Sequence, residues 1–185
     1  MTQTSNAERL LSEVLGALAG KDWMAILDGI EAPTYLTDRD GNVTYWNRAC
    51  VEFAGREPEL GSDRWCVTWK LYTTTGDLLP HHACPMAVAV KEQRVVRNAI
   101  AIAERPDGTR RAFTPYPTPL FDESGELIGA VNMLMDVSAE HGLLLRSQAD
   151  RCRRLARGVT DARASRVLDD MAIGYEQTAA SLSMG

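Results

Sequence analysis

Three turn dipeptides constrain the middle of this 185-residue chain more than any other feature. Asp40-Gly41, Asp107-Gly108 and Ser124-Gly125 each separate two runs rich in Val, Ile, Thr and Tyr. Such dipeptides favour the tight turns that join antiparallel strands. The runs predict five strands, at residues 34–37, 43–46, 97–104, 110–118 and 127–137. We therefore expect a five-stranded antiparallel sheet.

Helical patterns lie before and within this strand region. Apolar residues recur at helical spacing in residues 5–18 and 23–30. Pro85 suits the first turn of a further helix, which we predict at residues 84–93.

Residues 139–182 carry no strand pattern. They predict two helices that break at Gly158, with Asp161 as the cap of the second. Strands and helices in this order define the fold class as α+β. We divide the chain into an N-terminal helical cap at residues 1–31, a sheet domain at 32–138 and a C-terminal two-helix extension at 139–185.

The helices at both ends of the chain each have one apolar face that needs a partner. On the first helix this face consists of Leu10, Leu11, Val14, Leu15 and Leu18. We interpret that stripe as the seam of a homodimer, because apolar stripes at this spacing pair helices.

Five arginines follow along the first C-terminal helix, namely Arg146, Arg151, Arg153, Arg154 and Arg157. A run of like charges on a helix is ordinarily a solvated face, and this is the interpretation that we favour. The alternative is a docking site for an acidic partner.

Composition excludes several classes of protein. A net charge of -5 and a pI near 5.2 argue against nucleic-acid binding, which requires an excess of Lys and Arg. The four cysteines form no C-x-x-C pair, so neither a zinc ribbon nor a disulfide framework is predicted. No run approaches the roughly 20 apolar residues that span a bilayer, and no secretory leader is recognisable. We expect a cytoplasmic protein with reduced thiols and no membrane contact.

The sequence contains no catalytic signature. The P-loop, the G-x-S-x-G motif and the kinase ATP-binding motifs are all missing. His141 lies in a context unlike that of a phosphoacceptor histidine followed by a nucleotide-binding domain. We therefore predict that the protein is not an enzyme.

The order of motifs from residue 33 onward resembles a PAS domain. A strand, the Asp38-Arg39-Asp40-Gly41 turn, a second strand and Asn47 at the start of a helix follow in that family's order. Residues 105–111 resemble the hairpin between its third and fourth strands, and residues 122–129 resemble the next hairpin. The resemblance covers residues 23–141 and implies a PAS fold that serves as a sensor or interaction module.

Two further segments have counterparts in that family. Asp136, Val137 and Ser138 are similar to the tripeptide that passes a signal from the last strand into an exit helix. Residues 77–80 and 84–87 look like parts of bacterial PAS domains that precede signalling kinases. The resemblance therefore implies a role in two-component regulation, with a histidine kinase or a response regulator as partner.

Aromatic and aliphatic residues of the middle region suit an apolar cavity that holds a small ligand. The candidate lining residues are Trp65, Trp69, Tyr72, Met86, Val90, Ile100, Ile102, Asn132 and Leu134, with Met133 and Met135 nearby. Asn132 is the most informative, because it interrupts an apolar strand and a buried amide needs hydrogen-bond partners. The same residues also suit a filled core, so both interpretations stay open.

His81 and His82 stand directly before the helix predicted at residues 84–93. Haem-binding PAS domains take their axial histidine from that helix, so the resemblance makes His81 or His82 a candidate axial ligand of haem. Both precede Pro85, whereas the ligand in those sensors usually lies inside the helix. A pair exposed in a loop is the simpler interpretation.

Other cofactors have less support. His81, His82, Cys84 and Cys66 offer nitrogen and sulfur ligands, but their spacing matches no familiar site, and we predict no metal. A flavin photosensor of the light-oxygen-voltage type needs a reactive cysteine in an Asn-Cys-Arg-Phe-Leu-Gln context, which Cys66 lacks. The identity of any cofactor stays open.

The leading hypothesis is a non-enzymatic signalling protein. Its PAS domain binds a small ligand or a partner protein and biases the packing of the flanking helices. A haem-based gas or redox sensor is one alternative, and a ligand-free interaction scaffold for a kinase or regulator is the other.

Overall fold

A computed structural model describes residues 2–183 of the chain, and the side chains of residues 6–182. The α-helices are α1 (Thr2–Leu18), α2 (Trp23–Asp28), α3 (Arg48–Ala54), α4 (Pro85–Glu92), α5 (Ser138–Gly158) and α6 (Ala162–Ser183). The strands are β1 (Thr34–Asp38), β2 (Val43–Trp46), β3 (Lys70–Tyr72), β4 (Ala101–Glu104), β5 (Arg110–Pro115), β6 (Thr118–Phe121) and β7 (Leu127–Asp136). Across residues 2–183, no helix has both the length and the hydrophobicity needed to cross a membrane.

The strands form one sheet in the order β2-β1-β7-β5-β4-β3, and β6 also pairs with β7. The pairings of β1 with β2 and β7, of β3 with β4, and of β7 with β5 and β6 are antiparallel. This confirms the predicted α+β class with an antiparallel sheet. The sheet has seven strands where the sequence predicted five.

Local backbone features explain the difference. The strand predicted at residues 110–118 is interrupted at Tyr116 and Pro117, so it becomes β5 and β6, which pair with the same strand β7. Strand β3 has three residues, too few to show the alternation that marks a strand. The strand predicted at residues 97–104 begins only at Ala101, because Asn98 has a left-handed backbone with φ 59°.

Strand β7 has both faces buried. Ala130 and Leu134 contribute to one core, while Val131 and Met133 contribute to a second core that contains residues of α1. Successive side chains of a strand point to opposite faces, so both faces of a central strand must be apolar when both are covered. The long apolar run of β7 fits this position.

Helix α1 covers one of these faces and is not a free dimer seam. Leu11 and Val14 are 7% and 0% exposed and belong to the same core as Val131 and Met133. The rest of the stripe is half-buried against that core, namely Leu10, Leu15 and Leu18. The predicted seam is therefore wrong, because the apolar stripe packs against the sheet of its own chain.

Helices α5 and α6 form an antiparallel pair that belongs, with Thr109–Ala112, to a second compact unit. Ala149 and Cys152 pack with Ala172. Asp161 caps α6, since its Oδ1 accepts hydrogen bonds from the backbone N–H groups of Arg163 and Ala164, both at 2.8 Å. The predicted break at Gly158 and the predicted cap at Asp161 are confirmed.

Asn47 ties together the start of the sheet and the two helices that flank it. It is fully buried, and its backbone precedes α3 as the N-cap. Its Oδ1 accepts hydrogen bonds from the N–H groups of Thr34 and Cys50, at 3.0 and 3.2 Å. Its Nδ2 lies 3.0 Å from each of three carbonyl oxygens, those of Leu27, Ile30 and Ala32.

We expect Asn47→Ala to lower the free energy of unfolding by about 3 kcal/mol, because it leaves several buried backbone groups without partners. Arg48→Ala, one residue further on, removes an exposed side chain paired with Glu52 and should cost less than about 0.5 kcal/mol. Urea denaturation followed by circular dichroism measures both. Equal losses in the two variants would contradict the role given to Asn47.

Candidate functional site

The core on the α3 and α4 side of the sheet contains the candidate site, and we call it the inner-face cluster. Strands, helices and the loop before β3 all contribute side chains to it. Its buried members are Tyr35, Val43, Cys50, Phe53, Trp65, Cys66, Val67, Leu71, Cys84, Met86, Ala87, Val90, Ala101, Ala103, Phe113, Ala130 and Leu134.

The structure brings together part of the predicted cavity lining. Four predicted residues belong to the inner-face cluster, namely Trp65, Met86, Val90 and Leu134. Trp69 and Ile100 are 44% and 41% exposed and do not contribute to it, and Tyr72 is half-buried in β3 at the edge of the sheet.

Ile102 is buried but belongs to the opposite face of its strand. Ala101 and Ala103, its neighbours in β4, are members of the inner-face cluster. Because side chains alternate along a strand, Ile102 points away from the cluster. The prediction selected the larger apolar residues of this strand, whereas the small alanines occupy the inner positions.

Asn132 is part of a buried hydrogen-bond chain. Its Oδ1 accepts from the backbone N–H of Tyr116 at 2.9 Å, where the sheet is interrupted between β5 and β6. Its Nδ2 donates to the hydroxyl of Tyr35 at 3.0 Å, and that hydroxyl donates to the carbonyl of Trp65 at 3.0 Å. We call this the Tyr35 chain. It connects β7 through β1 to the loop before β3.

Trp65 holds an unusual backbone conformation at the end of this chain. Its φ of 70° is in the left-handed region, which costs a bulky residue on the order of 1–3 kcal/mol. Several contacts maintain it. Its N–H donates to the carbonyl of Gly41 at 2.7 Å, and its own carbonyl accepts from Tyr35 and from the thiol of Cys84.

The indole ring of Trp65 lies against the first turn of the sheet. A Cβ atom at Gly41 would stand 2.2 Å from the ring, so only glycine fits there. The guanidinium of Arg64 and the ammonium of Lys91 lie 5.2 and 5.1 Å from the ring centroid, within cation–π distance. Trp65 thus links the β1–β2 turn to α4.

The ionisable groups of the inner-face cluster are neutral at physiological pH. Burial raises the pKa of Tyr35 well above its ordinary value, and the nearby thiols of Cys66 and Cys84 raise it further. Burial also raises the pKa of Cys84 to about 12, and it raises the pKa values of Cys50 and Cys66. These thiols are therefore not nucleophiles, and the thiol of Cys84 donates a weak hydrogen bond to the Trp65 carbonyl.

Thr37 adds an unsatisfied hydroxyl to this side of the sheet. The residue is 3% exposed, and within the described part of the chain its Oγ1 has no hydrogen-bond partner. Thr37 lies two positions after Tyr35 in β1 and opposite Ala130 of the cluster, so its side chain shares their face.

His81 and His82 lie outside α4, in the 3-10 turn His81–Ala83 that precedes it. His82 is exposed, and its carbonyl accepts a hydrogen bond from Lys91 at 2.6 Å. His81 is half-buried; burial lowers its pKa, while Asp63 raises it and Arg56 lowers it to smaller extents. Among the residues described, no three His, Cys, Asp or Glu side chains converge to hold a metal ion.

The three predicted relay residues form the junction between β7 and α5. Asp136 is the last residue of β7 and pairs with Phe113 of β5. The N–H of Val137 donates to the carbonyl of Ala112 at 2.9 Å, and the hydroxyl of Ser138 accepts from the N–H of Ala112 at 3.0 Å. Both residues after the strand are thus bonded to the backbone of a single residue of β5, Ala112.

Residues 27–142 match the sequence model of the family described as PAS fold, which is more than half of the chain. The chain therefore belongs to the PAS family. No curated protein matches the sequence.

The solved structures with a similar fold include several light-oxygen-voltage proteins. A point variant of RsLOV superposes with a TM-score of 0.50 and 14% identity, covering 100% of this chain and 98% of that one. An RNA-binding light-oxygen-voltage receptor gives a TM-score of 0.50 and 18% identity, covering 91% of this chain and 38% of that one. The light-oxygen-voltage protein of Rhodobacter sphaeroides gives 0.48 and 13%, covering 94% of this chain and 96% of that one. Identities this low show a shared fold and do not identify a ligand.

Sequence reasoning missed the centre of the site. Tyr35 and Thr37 were each part of a predicted strand, and neither was a candidate. The available signal was a tyrosine between apolar neighbours in a strand, because a buried tyrosine hydroxyl needs a partner. No sequence pattern predicts the left-handed backbone of Trp65, because this conformation depends on contacts with Gly41 and Tyr35, which are distant in sequence.

We expect Tyr35→Phe to lower the free energy of unfolding by about 1–2 kcal/mol, because it leaves the amide of Asn132 and the carbonyl of Trp65 without their hydroxyl partner. Tyr175→Phe is the matched control, since that half-buried hydroxyl has no hydrogen bond within residues 6–182. Urea denaturation compares the two. A stability of Tyr35→Phe equal to that of the control would contradict the chain.

Proposed function

We propose that this PAS protein is a non-enzymatic sensory module that binds a small ligand or a partner protein and relays the signal through its flanking helices. The observation that carries the proposal is the Tyr35 chain. It joins the inner-face cluster to Asn132 in the middle of β7. Strand β7 ends at Asp136, Val137 follows, and α5 begins at Ser138.

The relay operates as a shift between two populations. A ligand that hydrogen-bonds to Tyr35 or Asn132 competes with the hydrogen bonds inside the Tyr35 chain. It therefore binds with different affinity to the arrangement in which these bonds are intact and to the arrangement in which they are broken. Only such a difference in affinity moves an equilibrium. The close packing of β7 on both faces then carries the change along the strand.

Burial and charge indicate the chemistry of the ligand. Among residues 6–182, no Asp, Glu, Lys or Arg side chain is buried, so a charged ligand in the inner-face cluster would lack a counter-ion. Tyr35, Thr37 and Asn132 offer hydroxyl and amide groups. We infer a neutral molecule with hydrogen-bonding groups, for which the unsatisfied hydroxyl of Thr37 supplies one partner.

A haem-based sensor remains the second candidate. Its support is the Nε2 atom of His81, which is shielded from solvent and has no partner within the described residues. The residues fit haem poorly, however, because His82 is exposed and both histidines precede α4. The porphyrin would need space inside the inner-face cluster. That space is filled by Tyr35, Met86 and Leu134, each wholly buried.

We propose a homodimer, a histidine kinase or a response regulator as partner of the flanking helices. A dimer would use surfaces other than the α1 stripe, since that stripe is covered by the sheet. The four free cysteines fit a reducing cytoplasm.

Ligand release tests the function directly. The 185-residue chain is purified, its visible spectrum is recorded, and the denatured sample is analysed by mass spectrometry. We expect about one neutral molecule per chain, lost in Asn132→Leu and retained in Gln177→Leu, an exposed amide position on α6. A Soret band abolished by His81→Ala or His82→Ala would establish a haem sensor, and absence of any molecule would favour the ligand-free scaffold.

Thr37→Val separates a ligand site from a filled core. If a ligand bonds to the Thr37 hydroxyl, this variant loses occupancy. If the core is simply filled, removing an unsatisfied buried hydroxyl stabilises the protein by about 1 kcal/mol. We expect the loss of occupancy, measured by the amount of molecule released per chain. Unchanged occupancy with increased stability would contradict the proposal.

A further inference from the structure

Helix α5 has an exposed face that combines leucines with arginines. Leu144, Gln148, Arg151 and Leu155 follow one another at intervals of four, three and four residues, and therefore line one side of the helix, with Arg154 beside them. Leu144 and Leu155 are 54% and 49% exposed. We call these five residues the α5 outer face.

This face lies away from the pairing with α6. Ala149 and Cys152, which pack with Ala172, lie on an adjoining face of the helix, where Cys152 follows Gln148 by four residues. Arg153 is on the α6 side as well, where its guanidinium forms a two-pronged ion pair with Glu176. The contacts between α5 and α6 that hold the helix pair together thus leave Leu144, Arg151, Arg154 and Leu155 exposed.

The arginines of the α5 outer face are available for a partner. Neither Arg151 nor Arg154 has a hydrogen bond or an ion pair with any residue from 6 to 182. Five arginines against Glu140 and Asp150 give α5 a net charge of +3, within a chain whose net charge is -5. The excess of positive charge is therefore local to this helix.

We propose that the α5 outer face binds an acidic amphipathic helix of a partner protein. Its leucines bury the apolar side of the incoming helix, and Arg151 and Arg154 pair with carboxylates at the rim. Charge complementarity of this kind sets specificity and the rate of encounter. Nucleic acid would engage the arginines but would leave Leu144 and Leu155 exposed, so the combination favours a protein helix.

This inference goes beyond the proposed function, because the α5 outer face binds its partner whether or not the inner-face cluster holds a ligand. It replaces the solvated-surface interpretation of the arginine run with a specific partner chemistry. The exposed leucines on either side of Arg151 and Arg154 are the observation that decides between the two.

Photo-crosslinking of the full chain tests the face. p-Benzoylphenylalanine replaces Ser147, which is exposed beside the α5 outer face, or Gln177 on α6 as a control position. The cells that make the protein are irradiated, and the peptide attached at each position is sequenced by mass spectrometry. We expect an adduct at position 147 and none at position 177. The attached segment should have an excess of Asp and Glu, with apolar residues at helical spacing.

Charge reversal provides the matched comparison. Arg151→Glu with Arg154→Glu reverses the α5 outer face, while Arg163→Glu with Arg166→Glu makes the same change at the same spacing on α6. The adduct yield at position 147 should fall at least about tenfold in the first variant and change by less than about twofold in the second. Thermal melting verifies that both variants fold.

Several results would overturn the proposal. They are an adduct with a second copy of this chain, an adduct removed by nuclease, and an adduct with a basic or neutral segment. A yield that survives Arg151→Glu with Arg154→Glu, or no adduct at position 147 above that at position 177, would overturn it as well.

Discussion

The hydroxyl of Tyr35 is fully buried, so all its hydrogen bonds must be made inside the protein. Its bond to the Trp65 carbonyl helps to hold that residue in a left-handed conformation, and the Trp65 ring in turn requires glycine at position 41. The bond from Asn132 attaches the same hydroxyl to the centre of β7. One buried group thus connects the first turn of the sheet, the loop before β3 and the strand that leads to α5.

The proposed relay depends on the position of β7. One face of β7 contributes to the inner-face cluster and the other to the core that contains α1, so no part of its apolar run is free to move independently. Densely packed interiors transmit displacements instead of absorbing them. In the proposed relay, a ligand that rearranges the Tyr35 chain acts through β7 on the core that contains α1 and on the β7–α5 junction.

Local signals predicted much of this fold, while long-range contacts escaped prediction. Gly41, Gly108 and Gly125, all at positive φ, lie where the turn dipeptides predicted them, and Asp161 caps its helix as expected. The homodimer seam failed because amphipathicity shows that a helix face is covered, but not whether a sheet or a second chain covers it. The site was predicted only in part. Asn132 was found because it interrupts an apolar strand, and Trp65 was found as an aromatic residue suited to a cavity. The left-handed backbone of Trp65 and the role of Tyr35 depend on contacts between residues distant in sequence.

Coupling between Asn132 and the exit of β7 is the central requirement of the relay, and a double-mutant cycle measures it. Hydrogen exchange at the amide of His141, which donates to the Val137 carbonyl, reports the opening of the first turn of α5. Asn132→Leu and Ser138→Ala, alone and together, should show a coupling free energy of at least about 0.5 kcal/mol, which is absent when Thr178→Ala replaces Ser138→Ala. Strict additivity of Asn132→Leu and Ser138→Ala would contradict the relay.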